Sequence, residues 1–133
     1  MLESSANVPQ SLSKVHIHLV FSTKHRERSL PDDIRPGLHA YMGGILKGLG
    51  CTPIEINTEP DHAHTLFLLS RTVPLSEVVG HFKKSSNDWL RMQGPQFAEF
   101  FWQGGYRAKT FQDELRALLK VHDVEYDERY VWD

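Results

Sequence analysis

The segment Asp61-His62-Ala63-His64 is where residue types and spacing most directly permit chemistry. Residues two apart on a β-strand share a face. His62 and His64 would therefore hold two imidazoles side by side, the arrangement that chelates one divalent metal ion. The same spacing suits two ordinary histidines on a wet strand face, and a bare His-x-His does not separate the two readings. A second pair, His16 and His18, stands earlier in the chain. If the strands carrying the two pairs are neighbours, all four imidazoles face one open surface. His16 reads as a bystander there rather than a ligand.

Cations and hydroxyls supply a second kind of chemistry. Lys24, His25, Arg26 and Arg28 crowd one short stretch, and Lys83, Lys84, Ser85, Ser86 and Arg91 crowd another. Such groups can grip phosphates, which gives salt-dependent affinity and positions a nucleic-acid strand. They also suit a solvated loop and a solvated helix face. Trp89 and Trp102 could stack on bases, but both read first as core residues. Phe97, Phe100 and Phe101 read as hydrophobic cover.

The elements that must position these groups follow from hydrophobic periodicity. Ser13–Ser22 alternates apolar Val15, Ile17, Leu19 and Phe21 with His16, His18 and Val20, the period of a half-buried strand. Pro31-Asp32-Asp33 opens a helix with a proline and acids at its positive end. Ile34, Leu38, Tyr41, Ile45 and Leu49 recur at helical spacing, Tyr41 among the core positions, and Gly50 ends the run. Thr52–Glu59 and His62–Leu69 read as strands joined by a Pro60-Asp61 turn. Pro74–Met92 reads as a helix with Leu75, Val78, Val79, Phe82, Trp89 and Leu90 as its stripe. Phe100–Ala108 is expected as a fourth strand, and Thr110 as the N-cap of a last helix reaching Val121. The order is β-α-β-β-α-β plus a C-terminal helix. That is an α+β, ferredoxin-like sandwich with an antiparallel sheet, in which the first and third strands lie side by side.

Composition excludes several classes. A length of 133 residues fits one domain, expected over 13–133 behind a loose leader at 1–12. A net charge of −2 argues against a strongly basic nucleic-acid coat, though not against a local basic face. Cys51 is the only cysteine, so neither an internal disulfide nor a Cys-rich zinc site can form. No apolar run is long enough to span a bilayer. The first ten residues lack a basic start and an apolar h-region. A cytoplasmic protein without a membrane partner is the expectation.

Taken in order, several segments resemble the HUH single-tyrosine transposases of the insertion-sequence-200 type, including their REP-associated relatives. Pro60-Asp61-His62-Ala63-His64 matches the histidine–apolar–histidine core, with Ala63 smaller than the usual middle residue. His18-Leu19-Val20-Phe21-Ser22-Thr23-Lys24 resembles the family's opening strand and basic loop. Phe82-Lys83-Lys84-Ser85-Ser86-Asn87-Asp88-Trp89 resembles its second-helix signature, and Phe101-Trp102-Gln103-Gly104-Gly105-Tyr106 its Trp-Gln-x-Gly-Tyr. Phe111-Gln112-Asp113-Glu114 and Tyr126-Asp127-Glu128-Arg129-Tyr130 are similar to the tail of one branch. The resemblance runs from Ser13 onward.

It implies that His62 and His64, with one further side chain, hold magnesium or manganese, which polarises a phosphate of single-stranded DNA. A tyrosine attacks that phosphorus and forms a covalent phosphotyrosine. It further implies recognition of DNA hairpins and a homodimer, in keeping with the need of a sheet edge for cover. With it, DNA contact becomes the preferred reading for Lys24, Arg26, Lys83, Lys84, Ser85 and Ser86.

The sequence departs from the family where the nucleophile should stand. Tyr106-Arg107-Ala108 runs straight into Lys109-Thr110-Phe111-Gln112, which resembles sequence beyond the family's tyrosine-bearing helix. A helix-sized segment is missing, and no tyrosine lies between Tyr106 and Tyr126. Tyr126 and Tyr130 are the remaining candidates for a substitute nucleophile, although each reads first as packing in an aromatic tail. The expectation is a transposase-family protein that binds single-stranded or hairpin DNA, with a weakly held metal and impaired or absent cleavage. An active transposase with a relocated tyrosine and a non-catalytic ferredoxin-like module are the alternatives.

Overall fold

The computed structural model describes residues 14–112. Strand β1 spans Val15–Ser22, helix α1 Arg35–Gly48, β2 Thr52–Glu59, β3 His62–Leu68, helix α2 Leu75–Arg91, and β4 Arg107–Gln112. The sheet order is β2-β3-β1-β4 with every neighbouring pair antiparallel. This is the ferredoxin-like α+β arrangement expected from the element order.

The strand alternation sorts side chains as the period of two requires. Ile17, Leu19 and Phe21 of β1 and Ala63 and Phe67 of β3 point into one core with Leu38, Met42 and Leu46 of α1 and Val78, Val79 and Phe82 of α2. A 3-10 turn over Asp32–Ile34 leads into α1. Just past the end of that helix stands Gly50, whose φ of 82° favours glycine. Tyr41 departs from the expected stripe. It lies 39% exposed and stacks on Trp89, with ring centroids 5.5 Å apart. The inward line is set by Leu38, Met42 and Leu46 at four-residue steps, which leaves position 41 at the margin.

The fourth strand is displaced from its expected place. Phe100–Ala108 is not a strand. Only an isolated bridge between Thr23 and Trp102 marks that stretch, and pairing with β1 begins at Arg107. Aromatic enrichment signals β structure because aromatic side chains suit a half-buried pleated surface. Here Phe100 and Trp102 instead pack edge-on in a cluster with Phe21 and Phe82 between sheet and α2. Thr110 likewise pairs with Ile17 inside β4 and caps no helix there. The remainder of the expected C-terminal helix, the leader at 1–12, and Tyr126 and Tyr130 lie outside the described residues.

Candidate metal and DNA site

His62 and His64 stand on β3 opposite Ser22 and Val20 of β1, and His16 and His18 lie on the same sheet face, away from the helices. The His62 and His64 rings stack with centroids 5.5 Å apart. The His18 ring meets His64 edge-on at 6.2 Å. Strand pairing therefore gathers three of the four imidazoles in one cluster. The face is not open, however. His16, His18, His62 and His64 are all under a tenth exposed, and His18 is fully buried.

The tight turn before His62 is held by the exit of β1. Thr23 donates its backbone N–H to Asp61 O at 2.9 Å and its hydroxyl to Glu27 O at 2.6 Å. Leu30 N–H donates to Pro60 O. The Asp61 carboxylate lies 2.9 Å from His62 Nδ1 and 3.7 Å from the Arg26 guanidinium. His25 and Arg26 both adopt positive φ, 58° and 55°. Such left-handed conformations in residues with a Cβ cost of the order of 1–3 kcal/mol each and persist only where surrounding contacts impose them. Those contacts are Arg26 N–H to Thr23 O, Glu27 N–H to Lys24 O, and Lys24 N–H to Phe101 O.

On the other face of the sheet His39 Nε2 lies 2.7 Å from Thr58 Oγ1. Burial holds the His39 pKa below its ordinary value, and Arg35 and His64 push it further in the same direction.

The donor chemistry suits a divalent ion in part. Two imidazoles share a face, and His62 Nδ1 meets the Asp61 carboxylate at 2.9 Å. Among the described residues no group of three His, Cys, Asp or Glu is placed to hold a metal.

The expected DNA contacts divide sharply. Lys24 is exposed, with Nζ 5.6 Å from the Phe101 ring centre. Both border a groove of about 580 Å³ between the loop after β1 and the segment 96–101. Phe101 is not hydrophobic cover, because it is 48% exposed with the Arg91 guanidinium 3.9 Å over its ring. Lys84 is exposed and paired with Asp88 one helical turn away at 3.1 Å. Ser85 is half-buried beside it.

Ser86, Lys83 and Arg26 have different roles from those expected. Ser86 is fully buried. Its hydroxyl donates to Phe82 O at 2.7 Å and accepts from Trp102 Nε1 at 3.0 Å. Lys83 Nζ donates to Gln103 O at 2.5 Å and Gly105 O at 3.0 Å, and burial lowers its pKa. Arg26 turns back to Asp61.

One contributor was missed in the sequence: Asn87 is buried and accepts from Trp102 N–H through Oδ1. Arg91, read as a possible phosphate grip, donates Nε to Phe100 O. With Lys83 and Ser86 they form an inner stripe of α2 that fastens residues 100–105. The available signal was helical spacing: Ser86 stands four residues after Phe82 and four before Leu90, a core position occupied by a polar side chain.

Comparison with known proteins places this geometry. Residues 11–122 match the family model described as IS200-like transposase. The ISDra2 transposase TnpA of Deinococcus radiodurans is 24% identical over 114 residues, covering 82% of this chain and 81% of that protein. A crystal structure of a Deinococcus radiodurans R1 protein described as a transposase superposes with a TM-score of 0.66 at 21% identity, over 84% of this chain and 90% of that one. A REP-associated tyrosine transposase, solved bound to a REP hairpin, superposes with a TM-score of 0.58 at 13% identity, over 82% of this chain and 62% of that one.

Proposed function

The chain belongs to the IS200-like transposase family, and from that premise we propose that it binds single-stranded or hairpin DNA in DNA transposition without cleaving it efficiently. The observation that carries this reading is the path of the chain after Tyr106. It enters β4 at Arg107 and pairs with β1 from Val20 to Val15, with no helix between Tyr106 and Gln112. The element expected to bear a nucleophilic tyrosine has no counterpart in that stretch. Of the chain's four tyrosines, Tyr41 stacks on Trp89 against the helices and Tyr106 precedes β4.

His62 and His64 are the proposed ligands of a weakly held divalent ion. Manganese is the better probe, because magnesium prefers an all-oxygen shell while manganese accepts imidazole. Such an ion supplies Lewis-acid polarisation of a phosphate. The chain's own contribution is to bind and orient the strand through Lys24 in the groove beside Phe101 and through exposed Lys84 and half-buried Ser85 on α2. A homodimer is part of the reading, since β2 and β4 leave two sheet edges to be covered. Light scattering at low micromolar concentration should give twice the chain mass. Among the described residues no helix is long and apolar enough to cross a membrane.

The deciding experiment incubates hairpin DNA carrying flanking single strands with the protein and manganese, then separates products on a denaturing gel. Retarded complexes in a native gel without a covalent adduct are expected. An adduct that disappears in Tyr126→Phe or Tyr130→Phe would overturn the reading and assign the nucleophile's role to the tail.

A further inference from the structure

We propose that Asp61 and Arg26 form a positioning relay that fixes the His62 ring in its Nδ1–H tautomer, and thereby ties the basic loop after β1 to the histidine pair. The inference rests on the metal reading of His62 and His64 only for its consequence, not for the tautomer itself.

The argument starts from what an imidazole on a strand lacks. A neutral histidine carries one ring proton, and the hydrogen bond made by one nitrogen decides which nitrogen keeps the lone pair. His62 Nδ1 lies 2.9 Å from Asp61 Oδ1. The carboxylate accepts only, so this contact selects the Nδ1–H form and leaves Nε2 as the ring's acceptor atom. Adjacent residues on a regular strand point to opposite faces. Asp61 reaches the His62 ring because it sits in the two-residue turn rather than in β3.

That geometry needs the carboxylate to be held. The Thr23 backbone N–H holds the Asp61 carbonyl, and the Arg26 guanidinium lies 3.7 Å from Oδ2, the carboxylate oxygen other than the one that meets His62. His25 and Arg26 are both left-handed in the loop that brings the Arg26 guanidinium to Asp61. The loop thus divides its cations. Lys24 faces the groove beside Phe101, and Arg26 holds the acid that orients His62. A carboxylate behind a histidine that serves a metal raises ligand basicity and fixes ring orientation. Arg26 is therefore a positioning residue rather than a phosphate contact.

The test reads the tautomer directly in metal-free protein, by long-range proton–nitrogen correlation of the histidine rings at a pH where they are neutral. His62 should appear as Nδ1–H in the parent and shift to Nε2–H or a mixture in Asp61→Ala. Arg26→Gln, which leaves Asp61 in place, should produce a smaller move in the same direction. Manganese titration by calorimetry should then show about 10–100-fold weaker binding in Asp61→Ala and a lesser loss in Arg26→Gln. A parent already in the Nε2–H form, or one whose tautomer is unchanged in both variants, overturns the relay. Failure of the parent to bind manganese, with the tautomer responding as expected, sinks the metal reading and leaves the relay standing.

Discussion

Replacing Ser86 with alanine separates a structural role from a DNA contact on α2. The hydroxyl is fully buried and accepts from Trp102 Nε1 at 3.0 Å, and Trp102 is itself 7% exposed. Alanine leaves that indole N–H buried without its acceptor, at a cost of about 1–3 kcal/mol. The Phe82 carbonyl loses the hydroxyl but sits within the ladder of α2. Alanine is the better helix former by roughly 0.5 kcal/mol, which offsets part of the loss. The net destabilisation is about 0.5–2.5 kcal/mol. For a domain of this size, a melting point falls by about 3–6 °C per kcal/mol, so a drop of roughly 2–15 °C is expected. The Trp102→Phe variant removes the donor instead, and the double variant should be less damaged than the sum of the two. The assays are thermal melts by circular dichroism and fluorescence anisotropy with single-stranded oligonucleotides over a salt series, well below the melting point. Affinity and salt slope should stay within about twofold of the parent. An unchanged melting point together with weakened binding and a shallower salt slope would refute the reasoning, because the hydroxyl would then be facing phosphate.

Three further outcomes follow from neighbouring geometry. Lys24→Ala should weaken single-stranded DNA binding across sequences and reduce the salt slope by about one, read by the same anisotropy series. Lys83→Met keeps the stem but loses both carbonyl contacts at Gln103 and Gly105. It should lower stability by about 1–2 kcal/mol in denaturant melts, with less change in salt slope than Lys84→Ala. His39 has its pKa lowered in the fold by burial, Arg35 and His64. The unfolded chain therefore takes up a proton that the folded chain refuses, and stability falls as pH drops through the ordinary histidine value of about 6.5 toward the lower folded value. Melts between pH 7.5 and 5 should show a shallower decline in His39→Gln, and parallel curves would count against the assignment.

The sequence by itself determined the βαββαβ order, its two helices, the first three strands within a residue or two, and the shared face of the four histidines. Those features are local. A period of two or of about 3.6 residues and a few turn signals encode them, and the side-by-side placement of His62 and His64 follows from strand geometry alone. Resemblance in the ordered motifs indicated the family over nearly the whole chain, but not the roles of individual residues. Only the tertiary structure decided those, because they depend on which surface each side chain meets. The aromatic run at Phe100–Trp102 carries a strand's composition, yet α2 offers those residues a better-packed place through Ser86, Asn87 and Arg91. Pairing with β1 then passes to Arg107–Gln112. Charge and hydroxyl content, read with the family resemblance, marked Arg26, Lys83 and Ser86 as DNA contacts, but buried acceptors and donors claim polar groups that come within reach of them. Arg26 is turned to Asp61, Lys83 to two carbonyls, and Ser86 to Trp102. No local pattern encodes such long-range partners, since they lie 16 to 35 residues away in the chain.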